Sequence, residues 1–137
     1  MNITLRAGEK LYINGAVIRT DRKATIELLN DATFLLETHV MQASDATSPL
    51  RQIYFVIQVM LMDPASSKAT GDLARSLIEK AVDAFDHPEV KSGLRTIIDL
   101  INRCRFFEAM KTLRGLYPHE RHEMFPEVAE PQKSNAA

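Results

Sequence analysis

Asn14-Gly15 is the feature that most constrains this chain. The pair tolerates the positive φ angles of a two-residue type I′ turn, and residues suited to strands flank it, Lys10-Leu11-Tyr12-Ile13 before and Ala16-Val17-Ile18-Arg19 after. A two-residue loop fixes the register of a hairpin: Ile13 faces Ala16, Tyr12 faces Val17, Leu11 faces Ile18 and Lys10 faces Arg19. Alternation then sorts these residues onto two faces. Leu11, Ile13, Ala16 and Ile18 form an apolar face suited to a core. Lys10, Tyr12, Val17 and Arg19 form the other. That second face is either ordinary wetted surface or, with two cations beside an aromatic ring, a surface that holds a phosphate backbone and stacks a base.

Length and charge narrow the choice. The 137 residues suffice for one domain with its own core. A net charge of −1 excludes a protein that binds polyanions with its whole surface, so any nucleic-acid footprint has to be local. The first 23 residues carry Arg6, Lys10, Arg19, Arg22 and Lys23 against Glu9 and Asp21, a cationic segment in a slightly acidic whole. The single cysteine, Cys104, precludes an intramolecular disulfide or a cysteine zinc cluster, and its neighbours Ile101, Phe106 and Phe107 predict a small core residue. The N-terminus lacks the pattern of a secretory signal, and the longest apolar run, Ile53 to Met62, is too short to span a bilayer. A cytoplasmic protein is the expectation.

Asn2-Ile3-Thr4-Leu5-Arg6 alternates like a strand, and Ala7-Gly8-Glu9 reads as the turn into the hairpin. For residues 24–36, alternation and a helical stripe fit equally well. Two further strands around Asn30-Asp31 are favoured, because Thr, Ile, Phe and Leu dominate and asparagine next to aspartate breaks helices. From Ser48 the signals turn helical: a serine cap, Pro49 at the first position, an apolar girth from Leu50 to Met62, and a stop at Asp63-Pro64. A loop from Ala65 to Gly71 then leads to a helix packing through Leu73, Leu77, Ala81 and Phe85, supported by Ala74, Ile78 and Val82. Asp86-His87-Pro88 caps a third helix with Val90, Leu94, Ile97 and Ile101 facing the core, weakened slightly by Gly93. A last helix with Phe106, Met110 and Leu113 ends at Gly115 and Pro118. The expected class is therefore α+β: a small antiparallel sheet of about five strands in residues 1–45, about four packed helices in 46–118, and a disordered tail from 119 to 137.

Motifs for chemistry are sparse. His119-Glu120-Arg121-His122 lacks the spacing of the two-histidine zinc helix, whose ligands stand four apart. Asp83 and Asp86 share a helix face but read as solvated charge. No catalytic residue, metal ligand or cofactor is assigned from the sequence, and a non-enzymatic protein is expected. Two constellations remain: the cationic hairpin, and the C-terminal helices, where Arg103 to Pro118 has the look of a helical-hairpin repeat arm that either binds a partner helix or packs within the domain.

Four blocks carry a resemblance that covers nearly the whole chain. Arg6-Ala7-Gly8-Glu9 through Tyr12-Ile13-Asn14-Gly15-Ala16-Val17, Leu29-Asn30-Asp31-Ala32-Thr33-Phe34-Leu35-Leu36-Glu37, Ala46-Thr47-Ser48-Pro49-Leu50-Arg51-Gln52-Ile53-Tyr54-Phe55 and Leu113-Arg114-Gly115-Leu116-Tyr117-Pro118 resemble the FlbT family of flagellum-biogenesis regulators. The resemblance implies a post-transcriptional regulator that associates with the 5′ untranslated region of flagellin mRNA and promotes its degradation, with FlaF or flagellin as further partners. Some members of that family act as activators. Residues 3–40 are also similar in length and punctuation to CsrA, a small mRNA-binding β-protein that works as a dimer, which implies a homodimer here. This chain has Leu5 and Arg6 where CsrA has two successive basic residues, and Glu37 where CsrA has an arginine. The RNA-binding candidates are therefore Arg6, Lys10, Tyr12, Arg19, Arg22 and Lys23. The rival reading is a protein adaptor that engages flagellin or FlaF through residues 88–117.

Overall fold

The computed structural model describes residues 1–124. Five strands come first, β1 (Asn2–Leu5), β2 (Lys10–Ile13), β3 (Ala16–Arg19), β4 (Ala24–Glu27) and β5 (Phe34–Leu36), followed by four α-helices, α1 (Pro49–Met62), α2 (Ser67–Ala84), α3 (Pro88–Asn102) and α4 (Phe106–Met124). The α+β class is as expected. Asn14 and Gly15 adopt φ of 49° and 82°, the two positive angles of a type I′ turn, and the hairpin has the expected register from Lys10↔Arg19 to Ile13↔Ala16. Gly8, at φ 78°, makes the tight turn before it, closed by Glu9 N donating to Arg6 O at 3.0 Å.

Strands β4 and β5 exist where expected but do not pair with each other. β4 returns to β1, with Ile3↔Ile26 and Leu5↔Ala24, while β5 adds to β2, with Leu11↔Leu36 and Ile13↔Phe34. Asn30-Asp31 thus lies on a crossover between two sheets. The sheets face each other across a small core of Ile3, Leu5 and Leu11, flanked by Ile13, Ile26, Leu28, Phe34 and Leu36. The opposite face of the three-stranded sheet sends Tyr12 and Leu35 into the helical core. That sheet is consequently a middle layer, and neither of its faces is simply wet. The expected core face of the hairpin is only half realised: Leu11 is buried, but Ala16 is exposed and Ile18 is 43% exposed. β3 is an edge strand in the order β3-β2-β5, and the small core draws on β2 and β5 without reaching it.

Ser48 caps α1, its Oγ accepting from Arg51 N at 3.3 Å, with Pro49 in the first turn. Gln58 is buried inside α1, where its amide accepts from Met41 N (2.8 Å) and donates to Met41 O (2.9 Å), pinning the incoming segment. Helix α2 starts at Ser67, so most of the expected 65–71 loop is helix; Ser66 Oγ donating to Asp63 O at 3.0 Å fastens the turn before it. Packing against α1 outweighs the poor propensity of Thr70 and Gly71. Of the residues expected to pack α2, Ala81, Phe85 and the supporting Ala74 and Ile78 are buried; Leu77 packs partly buried against the core, and Leu73 departs from expectation at 50% exposed. On α3 the expected row of Val90, Leu94, Ile97 and Ile101 is buried. Gly93 is a packing site, since a Cβ there would lie 2.8 and 2.9 Å from the Leu116 methyls of α4.

Two expectations fail at α4. Cys104 is exposed, at φ 60° in the turn between α3 and α4, so it is a turn residue and not core. The helix also runs through Gly115 and Pro118 to Met124, making residues 119–124 structured; the remainder of the expected tail, 125–137, lies outside the described residues. A proline inside a helix costs about 3 kcal/mol. What offsets it is a pair of anchors beyond it. Glu120 is 3% exposed, and its carboxylate accepts from Ser48 Oγ at 2.7 Å and Leu50 N at 2.8 Å, closing the N-terminus of α1. Glu123 does the same before α3, accepting from Asp86 N at 2.7 Å and His87 N at 3.1 Å. Glu120→Ala leaves a buried hydroxyl and a buried N–H without acceptors, so a loss of about 2 to 4 kcal/mol is expected in urea unfolding. A variant as stable as the parent would show that the buried pairing contributes nothing.

Candidate nucleic-acid interface

The strand register brings the cations together. Leu5↔Ala24 ends one ladder and Lys10↔Arg19 ends another. The connections 6–9 and 20–23 therefore leave the sheets at the same end, joined by Gly8 N donating to Thr20 O at 2.8 Å. Arg6, Lys10, Arg19, Arg22 and Lys23 all lie at this end and all are exposed. Sequence proximity suggested the cluster; two separate ladders assemble it.

Acidic groups tune that surface. Glu9 accepts from Arg6 N at 2.9 Å and lies 3.8 Å from its Nε, and Arg22 Nε stands 3.4 Å from Asp21 Oδ1. Arg6 and Arg22 remain largely exposed, so these pairs contribute little to stability and leave the guanidiniums accessible. Lys10, Arg19 and Lys23 form no ion pair among the described residues. Glu37 accepts from Lys10 N at 2.8 Å and, with Glu9, lines a cleft of about 470 Å³ that also touches Arg6 and Thr38. Two carboxylates make that cleft unfavourable for a phosphate. On the hairpin side Lys10 and Arg19 stand opposite each other, with Arg22 and Lys23 on the connection that follows.

Tyr12 does not share this exposure. Its ring is half-buried against the helical core, so it joins the sheet to the helices instead of standing free as a stacking platform. Val17, its cross-strand neighbour, is 57% exposed.

A second feature was not legible in the sequence. An apolar cleft of about 420 Å³ lies between β1, β5 and α4, lined by Ile3, Phe34, Leu36 and Phe107 with His39 and Arg114 at its polar margin. Arg114 Nη1 donates to Tyr54 Oη at 3.3 Å, the Tyr54 and Tyr117 rings lie 6.3 Å apart, and the Arg51 guanidinium covers Tyr117 at 4.4 Å. Burial pushes the Tyr117 phenol well above its ordinary value, against the opposing pull of Arg51. Its hydroxyl finds no partner among the described residues, which marks it as a packing group. The cleft draws on three segments far apart in the chain, and no local spacing announces it.

These features define a small α+β protein with a cationic strand end and an apolar cleft against its last helix. The chain belongs to the FlbT family: residues 1–124 match the family described as "Flagellar protein FlbT". Among curated relatives, a protein of Brucella ovis named "Probable flagellum biosynthesis repressor protein FlbT" is 47% identical over 120 residues, covering 88% of this chain and 79% of the relative. A protein of the same name from Mesorhizobium japonicum is 46% identical over 124 residues, covering 90% of this chain and 84% of the relative. No solved structure matches the chain. Among the described residues, no helix is long and apolar enough to cross a membrane.

The different settings of the hairpin residues have a measurable consequence. Replacing exposed Lys10 and Arg19 with alanine is expected to change unfolding free energy by no more than about 0.5 kcal/mol, whereas Tyr12→Ala costs about 1.5 to 3 kcal/mol. Urea denaturation distinguishes them, and a Tyr12→Ala protein as stable as the parent would contradict its place in the core.

Proposed function

We propose that this protein is a post-transcriptional regulator of flagellum biogenesis that associates with the 5′ untranslated region of flagellin mRNA and promotes its degradation. Membership of the FlbT family and relatives named as flagellum biosynthesis repressors support the regulatory role. The observation that carries RNA contact is the convergence of Arg6, Lys10, Arg19, Arg22 and Lys23 at one end of two sheets in a protein of net charge −1. With Arg6, Lys10, Arg19, Arg22 and Lys23 against Glu9 and Asp21, this segment is cationic within a chain of net charge −1, which supports local attraction of a single-stranded leader there. Tyr12 supports the site from beneath, through the packing that fixes the hairpin.

Each phosphate contact contributes about −0.7 to the slope of log affinity against log salt for a single strand, so three to five contacts imply a slope of about −2 to −3.5. Removing Lys10 and Arg19 together is expected to weaken binding and flatten the slope by roughly 1.4. Titration of a flagellin leader at several salt concentrations measures both; a double variant that binds like the parent with an unchanged slope removes the hairpin from the interface.

The open edge of β3, with Val17 and Ile18 exposed, supports a homodimer, because a second copy can add to an unpaired strand. Light scattering is expected to report twice the 15.4 kDa chain mass at micromolar concentration, and a monomer there would exclude the arrangement. A second reading rests on the apolar cleft beside Phe107 and Arg114, which suits an apolar protein segment and makes the molecule an adaptor for flagellin or FlaF. Under that reading Phe107→Ser abolishes regulation in cells while the Lys10 and Arg19 double variant retains it.

A further inference from the structure

The junction between the start of α3 and the far end of α4 holds a cluster that the RNA reading does not use. His87 is the N-cap of α3, Glu89 lies in its first turn, and His119 reaches them from α4. One ligand atom from each of these three residues lies within 4.8 Å of the other two. The imidazole rings are 4.4 Å apart at 35°, and His119 Nε2 stands 3.7 Å from Glu89 Oε1.

We propose that His87, Glu89 and His119 form a binding site for a divalent transition-metal ion of the zinc class. Zinc bonds of 2.0 to 2.2 Å in tetrahedral geometry put ligand atoms about 3.4 Å apart, so side-chain shifts of about 1 Å or a little more bring this set to coordination distance. Two imidazoles and one carboxylate select such ions over calcium or magnesium, which prefer all-oxygen shells. The backbone is already held: Glu123 of α4 accepts from Asp86 N and His87 N, so the helices that supply the ligands are tied together within the same turn. Both histidines are half-buried and Glu89 is exposed, which leaves the fourth position open to water.

His87 carries a constraint of its own. Its Nδ1 accepts from Glu89 N at 3.1 Å, so in the neutral ring the proton sits on Nε2. Coordination through either nitrogen replaces that hydrogen bond or moves the ring proton to Nδ1, a cost set against three metal bonds. Cys104 cannot join the set, since it lies at the opposite end of α3, a helix about 22 Å long. The ligands come from two helices some thirty residues apart in the chain, and the motif at His119-Glu120-Arg121-His122 is not the one used: Glu120 is committed to Ser48 and Leu50.

Isothermal titration of the full chain with zinc chloride alone tests the site. The expected result is one ion per chain with micromolar affinity, weakened about tenfold or more in His119→Ala and in His87→Asn. Asparagine still caps a helix, so His87→Asn removes the metal ligand while retaining the capping acceptor. Zinc should also raise the melting temperature of the parent and not of these two variants, while Cys104→Ser and His122→Ala keep the parent's affinity and its zinc-dependent rise. Melting without zinc verifies that each variant is folded. No binding at about 1 mM zinc, or variants at His87 and His119 that bind like the parent, would overturn the assignment.

Discussion

The helical half depends on the buried carboxylate of Glu120. Its two oxygens receive the Ser48 hydroxyl and the Leu50 N–H at the start of α1, the helix that contributes Leu50, Ile53, Tyr54, Ile57 and Met60 to the main core. A carboxylate at a helix N-terminus satisfies unpaired donors and complements the dipole, and here it does so from 72 residues away in the chain. Glu123 repeats the arrangement one turn later on α3. Three helices are thus registered against one another by the last two turns of α4, which explains why the chain carries a helix through Pro118. Gly93 completes the fit by letting Leu116 approach α3.

The sheets are joined to this body through one face of their middle layer. Tyr12 and Leu35 enter the helical core, while Leu11, Ile13, Phe34 and Leu36 turn the other way onto β1 and β4. Packing therefore consumes the middle of the strands and leaves their ends free. The end that carries 6–9 and 20–23 is where the cations collect, because both connections lie outside either core and tolerate charge. The same division separates the two roles within the hairpin. Lys10 and Arg19 are available for a ligand, whereas Tyr12 secures the surface on which they stand.

What was legible in the sequence was local. Asn14-Gly15 determined its turn and register because both depend on adjacent residues alone, and the caps at Ser48 and His87 were readable for the same reason. Partners of β4 and β5 were not, since alternation identifies a strand but not which strand it meets. Tyr12 looked solvated because a hairpin's second face is usually wet, and only the presence of helices on that side buries it. Four-residue spacing on α2 points to Leu73 and Leu77 as well as Ala81, whereas contact with α1 and α3 centres the buried face on Ala74, Ile78 and Ala81 and leaves Leu73 exposed. Gly115 and Pro118 predicted a stop that the anchors at Glu120 and Glu123 override, and Cys104 took a turn conformation despite its apolar neighbours. The His87, Glu89 and His119 cluster and the apolar cleft join segments distant in sequence, which no spacing rule reaches.

Under the proposed function, RNA meets this protein at the strand end and not at the last helix. Titrating a flagellin leader into the isotopically labelled protein and following backbone amide shifts by nuclear magnetic resonance tests it most directly. Shifts concentrated in residues 6–10 and 19–23 are expected, with the amides of α4 around Phe107 and Arg114 undisturbed. Shifts concentrated along α4 and the apolar cleft, with the two strand connections unmoved, would contradict it.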